Sequence, residues 1–218
     1  MPDQPASIVA ELSPLKRLAL SYAPAPARAP TLALLALDER LAAVLRGRGE
    51  PLTAQLRLAW WSDVLSRPVA DWPQGEPVLD ALRGWRYPSA LAALPSVWEA
   101  LLADDLSPPV IAEFADGRGR AFAALARELG VAAVDDAAAA ARVWALADLA
   151  ANLSDGAERE RVVGCGRGLG APARLPASLR PLAVLAGLGA AALARGGGAL
   201  LAGPASAFHA LRIGLTGR

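Results

Sequence analysis

One cysteine, one histidine and one lysine occur among 218 residues, and each scarcity removes a class of function. A lone Cys165 can form no internal disulfide, no thiolate zinc site and no CxxC redox pair. A disulfide-stapled secreted scaffold is excluded. No excess of one charge exists either: the net charge is +1, which leaves no basic footprint for nucleic acid. The opening residues, MPDQPASIVAEL, carry an acid and two prolines where a signal sequence needs a basic start and a long apolar run. A membrane-spanning run is also missing. The mean hydropathy of +0.32 comes from alanine spread through helical patterns, and residues 182–194 end at Arg195 and Gly196–Gly198. That stretch is shorter than the roughly 20 residues of a bilayer helix. The expectation is a cytoplasmic chain, with at most a peripheral contact at the inner face of a membrane.

What is abundant is helix former. Alanine and leucine make up about two-fifths of the chain, and β-branched residues are few. Leu34, Leu37, Leu41, Val44 and Leu45 repeat at helical spacing after a Thr31 N-cap, and Gly47 and Gly49 close the run. Further helices are expected over 53–66, 77–85, 89–103, 108–129, about 135–161, 177–194 and 199–215. The Pro/Gly-rich stretches 23–30, 68–77 and 164–176 read as loops. Residues 1–218 are therefore expected to form a single all-α domain, a bundle of about seven or eight helices.

Few residue sets could carry chemistry. A nucleophilic pair of Cys165 and His209 has no support from spacing. The segment GCGRGLG (164–170) follows a helix and lacks the Lys-Ser/Thr ending of a P-loop, so it reads as a helix–helix connection. Within the expected 135–161 helix, Asp148, Asn152, Asp155 and Arg159 fall on one stripe. Such oxygen donors could hold Mg²⁺ beside a diphosphate, or simply form the solvated face of an amphipathic helix. Trp60 and Trp61 point about 100° apart on a helix. One ring can enter the core while its neighbour packs elsewhere or lines a groove for a prenyl tail or a partner protein.

Tyr22, Arg28, LALLALDERLAAVL and QLRLAWWSDVL together resemble the N-terminal half of the squalene/phytoene synthase family. DGRGRAFAALARELG (116–130) and ADLAANLSDGAERERV (147–162) resemble its middle and its second aspartate-rich helix. LPASLRPLAVLAGLGAAAL and LRIGLTGR resemble the distal part of its shorter bacterial members. The resemblance implies an isoprenoid-synthase-like fold with a central apolar cavity. It also implies two acidic motifs on facing helices that clamp Mg²⁺ and a prenyl diphosphate.

Residue by residue, the first motif's aspartates fall on Ala42 and Arg46. Asp38 and Glu39 lie one turn earlier and read as hydrated groups or partners of Arg40 and Arg57. The second motif keeps only Asn152 and Asp155, with Glu158 one turn on; Asp148 and Asp155 are the remaining metal candidates. Degraded motifs imply a non-catalytic or repurposed member, similar to the branch that assists assembly of respiratory complex I. Such a scaffold needs no cofactor and would bind a prenyl or other apolar lipid, or a protein client. The alternative is an active Mg²⁺-dependent prenyl transferase with a rebuilt site. The candidate pocket comprises Tyr22, Arg28, Asp38, Glu39, Arg46, Arg57, Trp60, Trp61, Asp148, Asn152, Asp155 and Glu158.

Overall fold

The computed structural model describes residues 4–47, 50–103 and 105–217. Among them every regular element is helical: α1 (Gln4–Glu11), α2 (Pro14–Ser21), α3 (Ala25–Arg46), α4 (Pro51–Ser66), α5 (Pro77–Leu82), α6 (Leu94–Glu99), α7 (Pro108–Glu128), α8 (Val134–Asn152), α9 (Gly156–Arg167), α10 (Arg180–Ala194) and α11 (Pro204–Thr216). The all-α expectation holds, with eleven α-helices among the described residues instead of seven or eight. Two of the additional ones, α1 and α2, precede the first helix expected.

Proline explains most of the boundary differences. It opens α2, α4, α5, α7 and α11, where the missing N–H would have had no intrahelical partner in any case. The segment 23–30 is therefore mostly helix, because α3 starts at Ala25 and continues through Pro30. Thr31 lies inside α3 and is buried; it does not cap it. Pro95 breaks the expected 89–103 helix. In its place stand a 3₁₀ turn at Pro88–Leu91, α6, and a 3₁₀ turn at Ala100–Leu102.

The expected 135–161 helix divides in two. Asp155 leaves helical geometry (φ −73°, ψ 128°), and its side chain accepts a hydrogen bond from the Glu158 N–H, capping α9. α9 then runs to Arg167, so the start of GCGRG is helical and not a loop. At the end of the chain, Gly203 takes a left-handed φ of 90° and delays α11 to Pro204.

α8 lies at the centre, packed on α7, α10 and α9. Its alanine-rich face permits close approach. A Cβ placed on Gly189 of α10 would stand 3.1 Å from the Ala147 Cβ and 3.3 Å from the Trp144 Cα. α3 packs on α1, α2, α4, α5, α6 and α7. Buried side chains from Ile8 to Ile213 join in one core cluster. Residues Ala177–Ala194 are long and apolar enough to cross a membrane by composition, with mean hydropathy 1.6 over 18 residues. It is longer than the apolar stretch 182–194 expected from the sequence, and 56% of it is buried within the protein.

Candidate functional site

α3 is nearly all buried from Thr31 to Ala42, so Asp38 and Glu39 inside that run are shut away from water, while Arg40 keeps a partly exposed side chain. Asp38 retains 1% exposure. It accepts from Lys16 Nζ of α2 at 2.7 Å and from an Arg118 Nη of α7 at 2.8 Å. The other Nη of Arg118 donates to Asp148 of α8 at 2.9 Å. One guanidinium therefore spans the gap between carboxylates on α3 and α8. Lys16, the only lysine in the chain, also reaches Glu39 at 2.8 Å, and Glu39 pairs with Arg46. Asp38 and Glu39 are thus buried and paired, contrary to the hydrated reading. Arg40 turns instead to Glu11 and Glu76.

Aromatic rings wall in the bridging arginine. Arg118 Cζ stands 3.9 Å from the Trp144 ring centroid, 5.2 Å from Trp98 and 5.4 Å from Phe114. Desolvated cation–π contacts of this kind contribute about 2 kcal/mol or more. Trp98 meets Phe114, and Phe122 meets Trp144, in edge-to-face pairs 5.0 and 5.4 Å apart.

Burial alone would push the Asp38 carboxyl up. Arg118 and then Lys16 outweigh it and hold the group below the ordinary carboxylate range. Burial acts on Glu39 in the same way, and Lys16 and Arg46 reverse it there. Arg118 is depressed by burial, but Asp38 and Asp148 hold its guanidinium firmly protonated. Three cations (Lys16, Arg46, Arg118) face three carboxylates (Asp38, Glu39, Asp148). The cluster balances internally.

Beside this cluster a cavity of about 310 Å³ opens between the C-terminal ends of α3 and α8. Its walls are Ala42, Leu45, Trp98, Leu101, Ala103, Leu106, Phe114, Leu149 and Leu153, and its polar groups are Arg46, Asp148, Asn152 and Glu158. Ala42 and Arg46 thus come together with Asp148, Asn152 and Glu158 around one opening. The remaining candidates lie elsewhere. Asp155 is exposed and caps α9. Arg28 is exposed, with a hydrogen bond to the Leu20 carbonyl. Tyr22 packs under Gly214 of α11, where an added Cβ would meet its ring at 2.2 Å. Arg57, Trp60 and Trp61 line a separate groove between α3 and α4 with Arg40 and Glu76. Trp61 is buried and Trp60 is 43% exposed, their rings edge-to-face at 5.0 Å.

Two residues central to this site, Lys16 and Arg118, escape a reading by local pattern. Their partners are 22 and 80 positions away along the chain. A signal exists for Asp38, since a helix that is apolar on every side is a buried helix and its charges need internal partners. Trp98, which stacks on Arg118 and lines the cavity, carries no comparable signal.

No family model matches this chain, and no curated protein or solved structure matches it.

Proposed function

We propose that this protein is a non-catalytic scaffold of squalene/phytoene synthase type that holds one apolar, lipid-like ligand in the cavity between α3 and α8. One observation carries the reading: Arg118 occupies the space between Asp38 and Asp148, where an active transferase with a rebuilt site would need metal ions. A magnesium ion does not fit the residues present. Asp38 is enclosed by two cations, one Asp148 oxygen is held by Arg118, and Ala42 and Arg46 stand at the first-motif positions. Among the described residues no three His, Cys, Asp or Glu side chains gather as a ligand set. A self-neutralised cluster has no surplus positive charge for a diphosphate and no surplus carboxylate for a divalent ion.

Size supports the same reading. At about 310 Å³ the cavity stands at the lower end of the roughly 300–1,000 Å³ typical of ligand pockets. It suits one modest apolar group and excludes two long prenyl chains side by side. Leu45, Leu101, Leu106, Leu149 and Leu153 supply the apolar lining, and Arg46 and Asn152 can hydrogen-bond a polar head at the opening.

The test is calorimetric titration with a prenyl alcohol. The proposal expects saturable binding at one site per chain, lost in Ala42→Leu, whose added side chain enters the cavity. Absence of binding to the wild type, or binding untouched by that substitution, rejects the cavity assignment.

A second reading, a protein client, is favoured by Leu52, Leu56 and Trp60, which stand exposed at successive turns of α4. A photo-crosslinker placed at Leu56 would then yield one discrete protein adduct in cells. A smear or no adduct removes that reading.

A further inference from the structure

Charge is distributed very unevenly along this chain. Residues 161–218 contain seven arginines and no Asp or Glu, although the whole chain carries a net charge of only +1. All 21 acids therefore lie before residue 161. Within the acid-free part, Arg161 forms an ion pair with Asp105; among the described residues Arg167, Arg174, Arg180, Arg195 and Arg212 form none. The excess positive charge on this side is not neutralised internally.

α11 lies within that part and packs on α10, which also lacks acids. Its inner face, with Ser206, Ala210 and Ile213, is buried. Its outer face carries Phe208, Leu211 and Leu215, which are 72%, 45% and 70% exposed. These fall at i, i+3 and i+7, one apolar stripe along the helix. Arg212 is exposed one residue from Leu211. Exposed Arg174 and Arg195 line the grooves on the two sides of the helix, and Arg212 and His209 share the groove of Arg174.

An exposed aromatic and two leucines edged by arginines, with no acid on the supporting helix, match the pattern of an interfacial amphipathic helix. We infer that α11 is a docking surface for an anionic lipid bilayer. Phe208, Leu211 and Leu215 enter the boundary between headgroups and acyl chains, and Arg174, Arg195 and Arg212 face the lipid phosphates. The occupant follows from charge. A neutral apolar partner would leave three arginines uncompensated at the rim, whereas an anionic surface attracts each of them. The stripe on α4 differs, because Glu76 lines the groove beside it with Arg40 and Arg57.

Co-sedimentation with vesicles tests the inference. The full chain should bind vesicles of phosphatidylcholine mixed with phosphatidylglycerol, bind phosphatidylcholine alone far more weakly, and be released by salt. Each Arg→Gln change at 174, 195 or 212 should weaken binding to the anionic vesicles by about fivefold. Phe208→Ser should weaken it by about tenfold or more. These side chains are exposed, so unchanged far-UV circular dichroism confirms that the variants fold. Equal binding to both vesicle types, or none to either, overturns the inference. So does a concentration-dependent dimer that Phe208→Ser dissociates while vesicles bind nothing, since the stripe would then belong to a second copy.

Discussion

The two halves of the space enclosed by α3, α7 and α8 are built on opposite principles. One half is sealed: Lys16, Asp38 and Arg118 interlock among Trp98, Phe114 and Trp144, with almost no contact with water. The other is an opening of about 310 Å³ with leucine walls and a rim formed by Arg46, Asp148, Asn152 and Glu158. Asp148 belongs to both, with 23% of its side chain exposed and one oxygen on Arg118. A fold that places carboxylates on facing helices must supply a counter-charge. Here the chain supplies its own cation and leaves beside it an opening with apolar walls and a polar rim.

The sharpest way to break this contrast is to remove the internal cation. Arg118→Ala leaves Asp38 buried with one partner fewer and opens a void among three aromatic rings. It is expected to cost about 3–5 kcal/mol, read as a lower urea midpoint. Arg46→Ala, at the solvated end of the same network, should cost under about 1 kcal/mol. Similar losses from the two variants would mean that the halves do not differ.

Packing provides the next contrast. Ala145 of α8 is fully buried, and Ala145→Leu should cost about 1–3 kcal/mol through overpacking. Ala42→Leu directs the same added volume into the cavity and should cost less, under about 1 kcal/mol, while abolishing ligand binding. Thermal unfolding of the two variants reads the difference directly. A larger loss from Ala42→Leu would show that the opening is not available space.

Acid should act on the sealed half. Asp38 and Glu39 titrate below their unfolded values, so the stability they contribute is complete above the unfolded carboxylate pKa of about 4. It is lost as pH falls through the lowered folded values. Urea midpoints measured downward from pH 5 should fall steeply in the wild type and less steeply in Asp38→Asn. Parallel curves would remove Asp38 from the account. The smallest effect is expected at the exposed Arg120–Glu113 pair, where Glu113→Ala should change stability by under about 1 kcal/mol.

Much of the fold was legible because alanine, leucine and their spacing report local structure. Helices at 53–66 and 108–129 fall within two residues of those observed. The misread boundaries share a cause: a proline or an Asx cap can either end a helix or begin one, and only tertiary contacts decide which. Pro30 remained inside α3 because the turns after it are buried on every side, and Asp155 divided a stripe that looked continuous. The candidate site was half legible. Ala42, Arg46, Asp148, Asn152 and Glu158 do meet at one cavity. Lys16 and Arg118 were not recognised, since no spacing rule relates a lysine on α2 or an arginine on α7 to an aspartate on α3. The acid-free tail, in contrast, is visible in the bare sequence once charge is counted by region and not for the whole chain.

Pyrophosphate release from farnesyl or geranylgeranyl diphosphate, measured with Mg²⁺ and again with EDTA, reaches the central claim most directly. With the guanidinium of Arg118 fixed between Asp38 and Asp148, the rate with protein and metal should equal that without protein. Release that requires the protein and stops on chelation would contradict the account, because the carboxylates would then be holding metal and not arginine.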